Sequence, residues 1–184
     1  MAAAVLGLVA VVTALRASTG STANFFSFFT IESNVLAVVV LLVGGILDPR
    51  STRWAYVRGG ATLYMTITGI VYAALLSNVD VQLTDPWVNS VLHRVLPLVL
   101  LLDWVALPPW PAVSWRAALG WLAVPLAYFA YSLLRGPIAD WYPYPFLDPR
   151  PDGYDHVVVY AVVLAVGMGL LALAVYRVGR QRAA

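Results

Sequence analysis

Residues 24–46 read NFFSFFTIESNVLAVVVLLVGGI, an apolar run broken by a single carboxylate, Glu32. Wound as a helix, a run of this length matches the thickness of a bilayer's hydrocarbon core. Five further apolar runs, at about residues 2–15, 57–77, 87–107, 115–134 and 156–176, are long enough or nearly long enough to do the same. The expected fold is therefore all-α: a polytopic integral membrane protein, a bundle of six transmembrane helices, with residues 1–184 forming one transmembrane domain. Composition agrees, since 61% of residues are hydrophobic and only 11% charged, against roughly 25% charged in soluble domains. Six spans of about 20 residues use roughly 120 positions, which leaves short loops and no second folded domain. The stretch Ala2 to Leu15 lacks a basic leading region and a small-residue cleavage site, so it reads as a retained first span.

Signals between the runs support these cuts. Asp85 before Pro86 is a helix cap followed by proline at the first helical position, Ser114 precedes the fifth run and Asp155 the sixth. Trp54, Tyr56, Trp87, Trp104, Trp110, Trp115, Trp141, Tyr142 and Tyr144 cluster near run ends, as interfacial belts do. All basic residues are arginines; Arg50, Arg53, Arg58, Arg116, Arg177, Arg180 and Arg182 fall on one side against Arg16, Arg135 and Arg150 on the other. That bias predicts a multi-pass protein of the cell membrane with both termini cytoplasmic, and arginines that anchor to lipid headgroups and not to nucleic acid. The acidic loop holding Asp140, Asp148, Asp152 and Asp155 then faces outward. Its sequence WYPYPFLDPRPDGYDH, rich in proline and rings, predicts an ordered lid or plug. Cysteine is absent, which removes disulfide and thiolate chemistry.

Polar side chains are costly in lipid, so the few inside the runs carry the information. Thr30, Ser33 and Asn34 fall on one helical face of the second run, with Glu32 opposite. A threonine there ordinarily bonds its own helix or packs between helices. The fourth run, PWVNSVLHRVLPLVLLLDW, holds His93, Arg94 and Asp103. Pro97 removes an N–H and crowds the His93 carbonyl, which predicts a kink and a free carbonyl beside the histidine; Pro125 offers a second kink in the fifth run. Counted from Asn24 and Asp85, Thr30 and His93 lie about 9 and 12 Å from their helix starts. Both helices run inward, so the two residues share a layer in the outer half of the bilayer, as a nucleophile and its base require. Asp103 and Trp104 lie about 15 Å further along and read as structural.

The segments FFTIESN, HRVLPLVLLLDW and YPYPFLDP, together with the span count, resemble the family of androgen-induced membrane proteins, six-helix threonine hydrolases that cleave fatty acid esters of hydroxy fatty acids, and in particular its bacterial branch. The resemblance implies a membrane-embedded lipid ester hydrolase, with Thr30 and His93 at the positions of the family's required threonine and histidine. In that chemistry a neutral imidazole within about 3 Å takes the hydroxyl proton. Asn34 and Asn89 are candidate donors to the tetrahedral intermediate, and Arg94 either holds a fatty carboxylate or reaches for headgroups. Asp85 and Asp155 orient the imidazole or, more simply, cap helices. His156 reads as an interfacial histidine.

Other chemistries find no support. Two histidines and scattered carboxylates lack metal-ligand spacing, and there is no phosphate-binding glycine loop and no GxSxG elbow, so no metal and no cofactor is expected. The expected partners are membrane lipids and a lipid ester substrate. The alternative is a non-enzymatic binder or transporter of lipids or small molecules, although six unequal spans without an inverted repeat argue mildly against transport. A helical partner role is open too, because Gly44 with Gly45 and Gly167 with Gly169 permit close packing.

Overall fold

Ser21, Ser51 and Ser114 each turn a side-chain oxygen onto the N–H three residues on, at Asn24 (3.1 Å), Trp54 (3.2 Å) and Ala117 (3.2 Å). Each thereby satisfies a donor that a helix start leaves orphaned. The computed structural model describes residues 1–77, 85–107, 109 and 111–183, without the side chains of 181–183; Trp110 and the Arg182 side chain therefore lie outside the described residues. In chain order the elements are α1 (Ala2–Ala17), α2 (Thr22–Phe25), α3 (Phe29–Leu47), α4 (Thr52–Leu76), α5 (Pro86–Ala106), α6 (Trp115–Ala139), a 3₁₀ turn (Pro145–Leu147) and α7 (Pro149–Ala183), which is broken by a kink at Gly153, where φ is 79°. Among the described residues there is no strand. Five helices, α3 to α7, are long and apolar enough to cross a membrane. The sequence pattern predicts six such spans; α1 is apolar but has 16 residues, about 24 Å of helix against a core of about 30 Å.

The second run does not begin at Asn24. The chain turns at Phe26–Ser27, Phe28 is extended, and α3 starts afresh at Phe29. Two cores explain the break. Phe25 belongs to the core cluster that holds Ala10, Val88, Val91 and Leu92, whereas Phe29 belongs to the one that holds Tyr64, Tyr72 and Tyr144. In one continuous helix residues 25 and 29 would share a face and could not serve both.

Small residues bring α1 in close. Ala4, Ala10 and Ala14 are buried, and a Cβ on Gly7 would meet the Leu96 side chain at 2.7 Å and that of Val38 at 2.9 Å. On the cytoplasmic side predicted by the arginines, Arg58 of α4 pairs with Asp103 of α5 at 2.7 Å and donates to the Leu107 carbonyl at 2.9 Å. Trp104 is buried and donates its indole N–H to the Val175 carbonyl. Trp104 and Tyr144 are therefore core residues and not members of an interfacial belt: the first latches α5 to α7, the second stands at the site below. Side chains that face outward are large and apolar, including Ile138, Leu134, Leu102 and, along α7, Val159, Val162, Val163, Val166 and Leu170. Such continuous apolar exteriors are ill suited to water and well suited to lipid.

The aromatic loop after α6 is ordered and packs inward. Tyr144, Phe146 and Leu147 are buried, with the Tyr144 and Phe146 rings stacked at 5.2 Å and Phe146 against Tyr160 at 5.8 Å. Arg150 fastens the loop by bridging Asp140 (2.8 Å) and Asp148 (2.6 Å) while lying over the Tyr142 ring.

Candidate active site

Pro97 sets the geometry of the histidine. Residues 91–95 wind as a π-helical turn, and the Leu96 N–H reaches back to Val91 instead of Leu92. Since Pro97 has no N–H to offer, the Leu92 carbonyl is left without a helical donor. Asn34 supplies one from α3: its amide donates to Leu92 O at 3.1 Å and to Thr30 O at 2.8 Å. The expected kink is thus a widened turn whose orphaned carbonyl ties α5 to α3. Across from it, a Cβ on Gly69 of α4 would meet Pro97 at 3.1 Å and the His93 carbonyl at 3.4 Å, so glycine there allows α4 to close against the turn.

The turn projects His93 inward, 4% exposed, beneath the ring of Tyr72, which stacks on it at 4.1 Å. His93 Nδ1 lies 3.1 Å from the Asn89 carbonyl and Nε2 lies 3.4 Å from Thr30 Oγ1. A carbonyl oxygen only accepts, so the hydrogen of the neutral ring is assigned to Nδ1, and Nε2 turns its lone pair toward the threonine hydroxyl. Asn89 spends an amide N–H on the Tyr72 hydroxyl (2.5 Å), which steadies the stacked ring.

Thr30 lies in the first turn of α3 and not a turn and a half into a longer helix, because the helix starts at Phe29. The N-cap, Phe28, contributes no side-chain bond. The orphaned Thr30 N–H is taken up by the Tyr144 hydroxyl at 3.2 Å, and the same hydroxyl lies 3.3 Å from Thr30 Oγ1. Tyr144 is held by Phe28 on one side and Phe146 on the other. Three elements therefore converge on one hydroxyl: the start of α3, the π turn of α5 and the aromatic plug.

The hydroxyl opens on an apolar cavity with a volume of ≈ 50 Å³, between α3, α4, α6 and α7, whose polar groups are the hydroxyls of Thr30, Thr68, Tyr128 and Tyr144. That is room for about three or four waters, or for the first methylenes of a chain. Thr68 is 4% exposed and its Oγ1 has no partner among the described residues, whereas Thr62 and Thr66 bond back to their own helix. An apolar cavity with a few hydroxyls in its lining suits a hydrocarbon chain bearing one polar group.

Other residues singled out by the sequence lie elsewhere. Thr30, Ser33 and Asn34 share the buried face and Glu32 is exposed, as helical spacing predicts. Arg94 is exposed and does not line the cavity. Asp155 is exposed and Asp85 begins α5 without a side-chain cap bond; the imidazole is oriented by a backbone carbonyl instead of either carboxylate. His156 stands half-exposed, 4.0 Å from Asp152 and beside Tyr160. Among the described residues no group of three or more His, Cys, Asp or Glu is placed to hold a metal ion. Sequence reading missed Tyr144, Tyr72 and Thr68; the signal for the first was its position within YPYPFLDP, read as interfacial. No family model, curated protein or solved structure matches the chain.

Proposed function

We propose that this protein is a six-span, membrane-embedded hydrolase of lipid esters, fatty acid esters of hydroxy fatty acids or similar, with Thr30 as nucleophile and His93 as base. The observation that carries the reading is the 3.4 Å approach of His93 Nε2 to Thr30 Oγ1, with the other ring nitrogen anchored on Asn89 O, at the end of an apolar cavity. Resting separations of this kind shorten when substrate binds. The resemblance to the androgen-induced family points to the same two residues. Acyl transfer to water needs neither metal nor cofactor. The membrane lipids around the bundle are its medium, and the ester arrives from them.

In the reaction, Nε2 takes the hydroxyl proton as Oγ1 bonds to the ester carbonyl carbon, and the carbonyl electron pair moves onto oxygen. Collapse expels the hydroxy-acid oxygen, which takes the proton from the imidazolium. Water, deprotonated by the same imidazole, then attacks the threonyl ester, releases the fatty acid and restores the Thr30 hydroxyl. The negatively charged intermediate needs a donor. Asn34 has committed its amide hydrogens to two carbonyls. Tyr144 is better placed: its oxygen accepts from the Thr30 N–H, so its hydrogen is available beside Oγ1. Arg94 is assigned to headgroups.

Purified protein in detergent should hydrolyse a hydroxy fatty acid ester. Thr30→Ala and His93→Ala should each abolish turnover with the fold retained, and Tyr144→Phe should lower kcat by roughly 10²- to 10³-fold, the usual cost of one such donor. Full activity in both the Thr30 and His93 variants would refute the assignment.

A further inference from the structure

On the outside of the bundle, between α4 and α7, runs a groove with a volume of ≈ 220 Å³, lined by apolar side chains and Gly167. Ile67, Val71, Leu164 and Met168 line both this groove and the cavity at Thr30. These four side chains form a wall common to the site and the groove. Two of them belong to α7, whose membrane segment is buried over only 11% of its residues, and one is methionine, unbranched and adaptable. Beyond these four the groove wall continues to Ile70 and Val163, 48% and 62% exposed and part of the lipid-facing exterior. The depth matches as well, since Gly69, two residues from both Ile67 and Val71, lies against Pro97 and the His93 carbonyl.

We infer that this groove is a lateral portal, through which the hydrocarbon chain of an ester dissolved in the bilayer slides between α4 and α7 to bring its carbonyl to Thr30. The ester part of the inference rests on the hydrolase reading. The occupant is a lipid chain because wall, gate and surroundings are all hydrocarbon, and a chain passing this way never meets water. A portal in the membrane plane also explains how a buried hydroxyl under an ordered plug is reached without opening the plug.

Gly167 allows a clean obstruction, because a Cβ there meets nothing within 4 Å; the same holds for Gly169, which does not line the groove. Wild type, Gly167→Phe and Gly169→Phe would be compared in phosphatidylcholine vesicles with a long-chain fatty acid ester carrying a diazirine on its chain, and in detergent with a short-chain acetate ester. The portal predicts photolabelling of Thr68, Tyr128 and Phe129, which line the cavity and not the groove, in wild type and in Gly169→Phe but not in Gly167→Phe. It also predicts roughly tenfold slower long-chain hydrolysis in Gly167→Phe alone, the cost of about two lost methylene contacts, with acetate hydrolysis slowed less in Gly167→Phe and unchanged in Gly169→Phe. Labelling confined to the lipid-facing exterior, cavity labelling indifferent to Gly167→Phe, or equal slowing by both phenylalanines would overturn the portal. Labelling of the cavity in a wild-type protein that hydrolyses neither ester would leave the portal standing and refute the hydrolase.

Discussion

Truncating Asn34 to alanine should destabilise the protein in a way that Pro97 controls. The Leu92 carbonyl lacks a helical donor because the Leu96 N–H goes to Val91 and residue 97 is proline. Asn34, wholly buried, meets that need at 3.1 Å. Removing it leaves a buried carbonyl unpaired, at about 1–3 kcal/mol, and forfeits an interhelical bond of the kind that contributes about 0.6 kcal/mol on average within membranes. Pro97→Ala restores an N–H and lets the turn relax to α-helix, with Leu96 bonding Leu92. In that background the Asn34 donor is redundant. Thermal or denaturant unfolding in detergent of wild type, the two single variants and the double variant closes a mutant cycle in which the cavity left by Asn34→Ala cancels. The expected coupling is about 1 kcal/mol, with Asn34→Ala costing less in the Pro97→Ala background than in wild type. Additivity within about 0.3–0.5 kcal/mol would show that the π turn and the asparagine are independent, and the account of the site's construction would fail.

The remaining predictions concern orientation and the plug. This cysteine-free chain accepts single reporters, and a cysteine replacing Arg50 should react with a membrane-impermeant maleimide only from the cytoplasmic side, whereas one replacing Asp152 should react only from outside; the reverse pattern would overturn the topology of both termini in the cytoplasm. Hydrogen bonds from Arg150 hold the Asp148 carboxyl below its ordinary range. A depressed carboxyl lends stability that is present above its unfolded value, near 3.9, and lost as pH falls through the folded one. Limited acid-stable proteolysis of residues 140–153 should therefore be slow at neutral pH and rise below about pH 4, and Arg150→Ala should be cut rapidly at neutral pH. Equal cutting rates in the variant and wild type at neutral pH would remove the clamp from the explanation.

Much of this arrangement is legible in the sequence and some is not, for reasons that can be named. Apolar run lengths announce the helices, since lipid leaves a spanning backbone few options. Spacing alone puts Thr30 and Asn34 on one face, and Pro97 marks where α5 departs from regularity. The break at Phe26–Phe28 is invisible because FFSFF continues the apolar pattern; the decision is tertiary, made by two cores that each claim a phenylalanine. The depth count from Asn24 consequently started on the wrong turn. Tyr144 escaped notice because a tyrosine between prolines near a span end has the composition of an interfacial ring, and only the folded loop turns its hydroxyl toward Thr30. The carbonyl that orients His93 escaped for a simpler reason: sequence advertises side chains, and this partner is backbone.

The position of the aromatic plug, between the last two helices, has a consequence for biogenesis. Chains emerge from the ribosome N-terminus first, so the segments carrying Thr30 and His93 are synthesised before residues 140–148 exist. A partly translated bundle would hold Thr30 and His93 without Tyr144, and the Thr30 amide would lack the hydroxyl that takes it up until residues 140–148 are translated and dock. On the proposed function, the donor assigned to Tyr144 would thus join the site after its threonine and histidine, so the site is assembled in the order in which its segments are made.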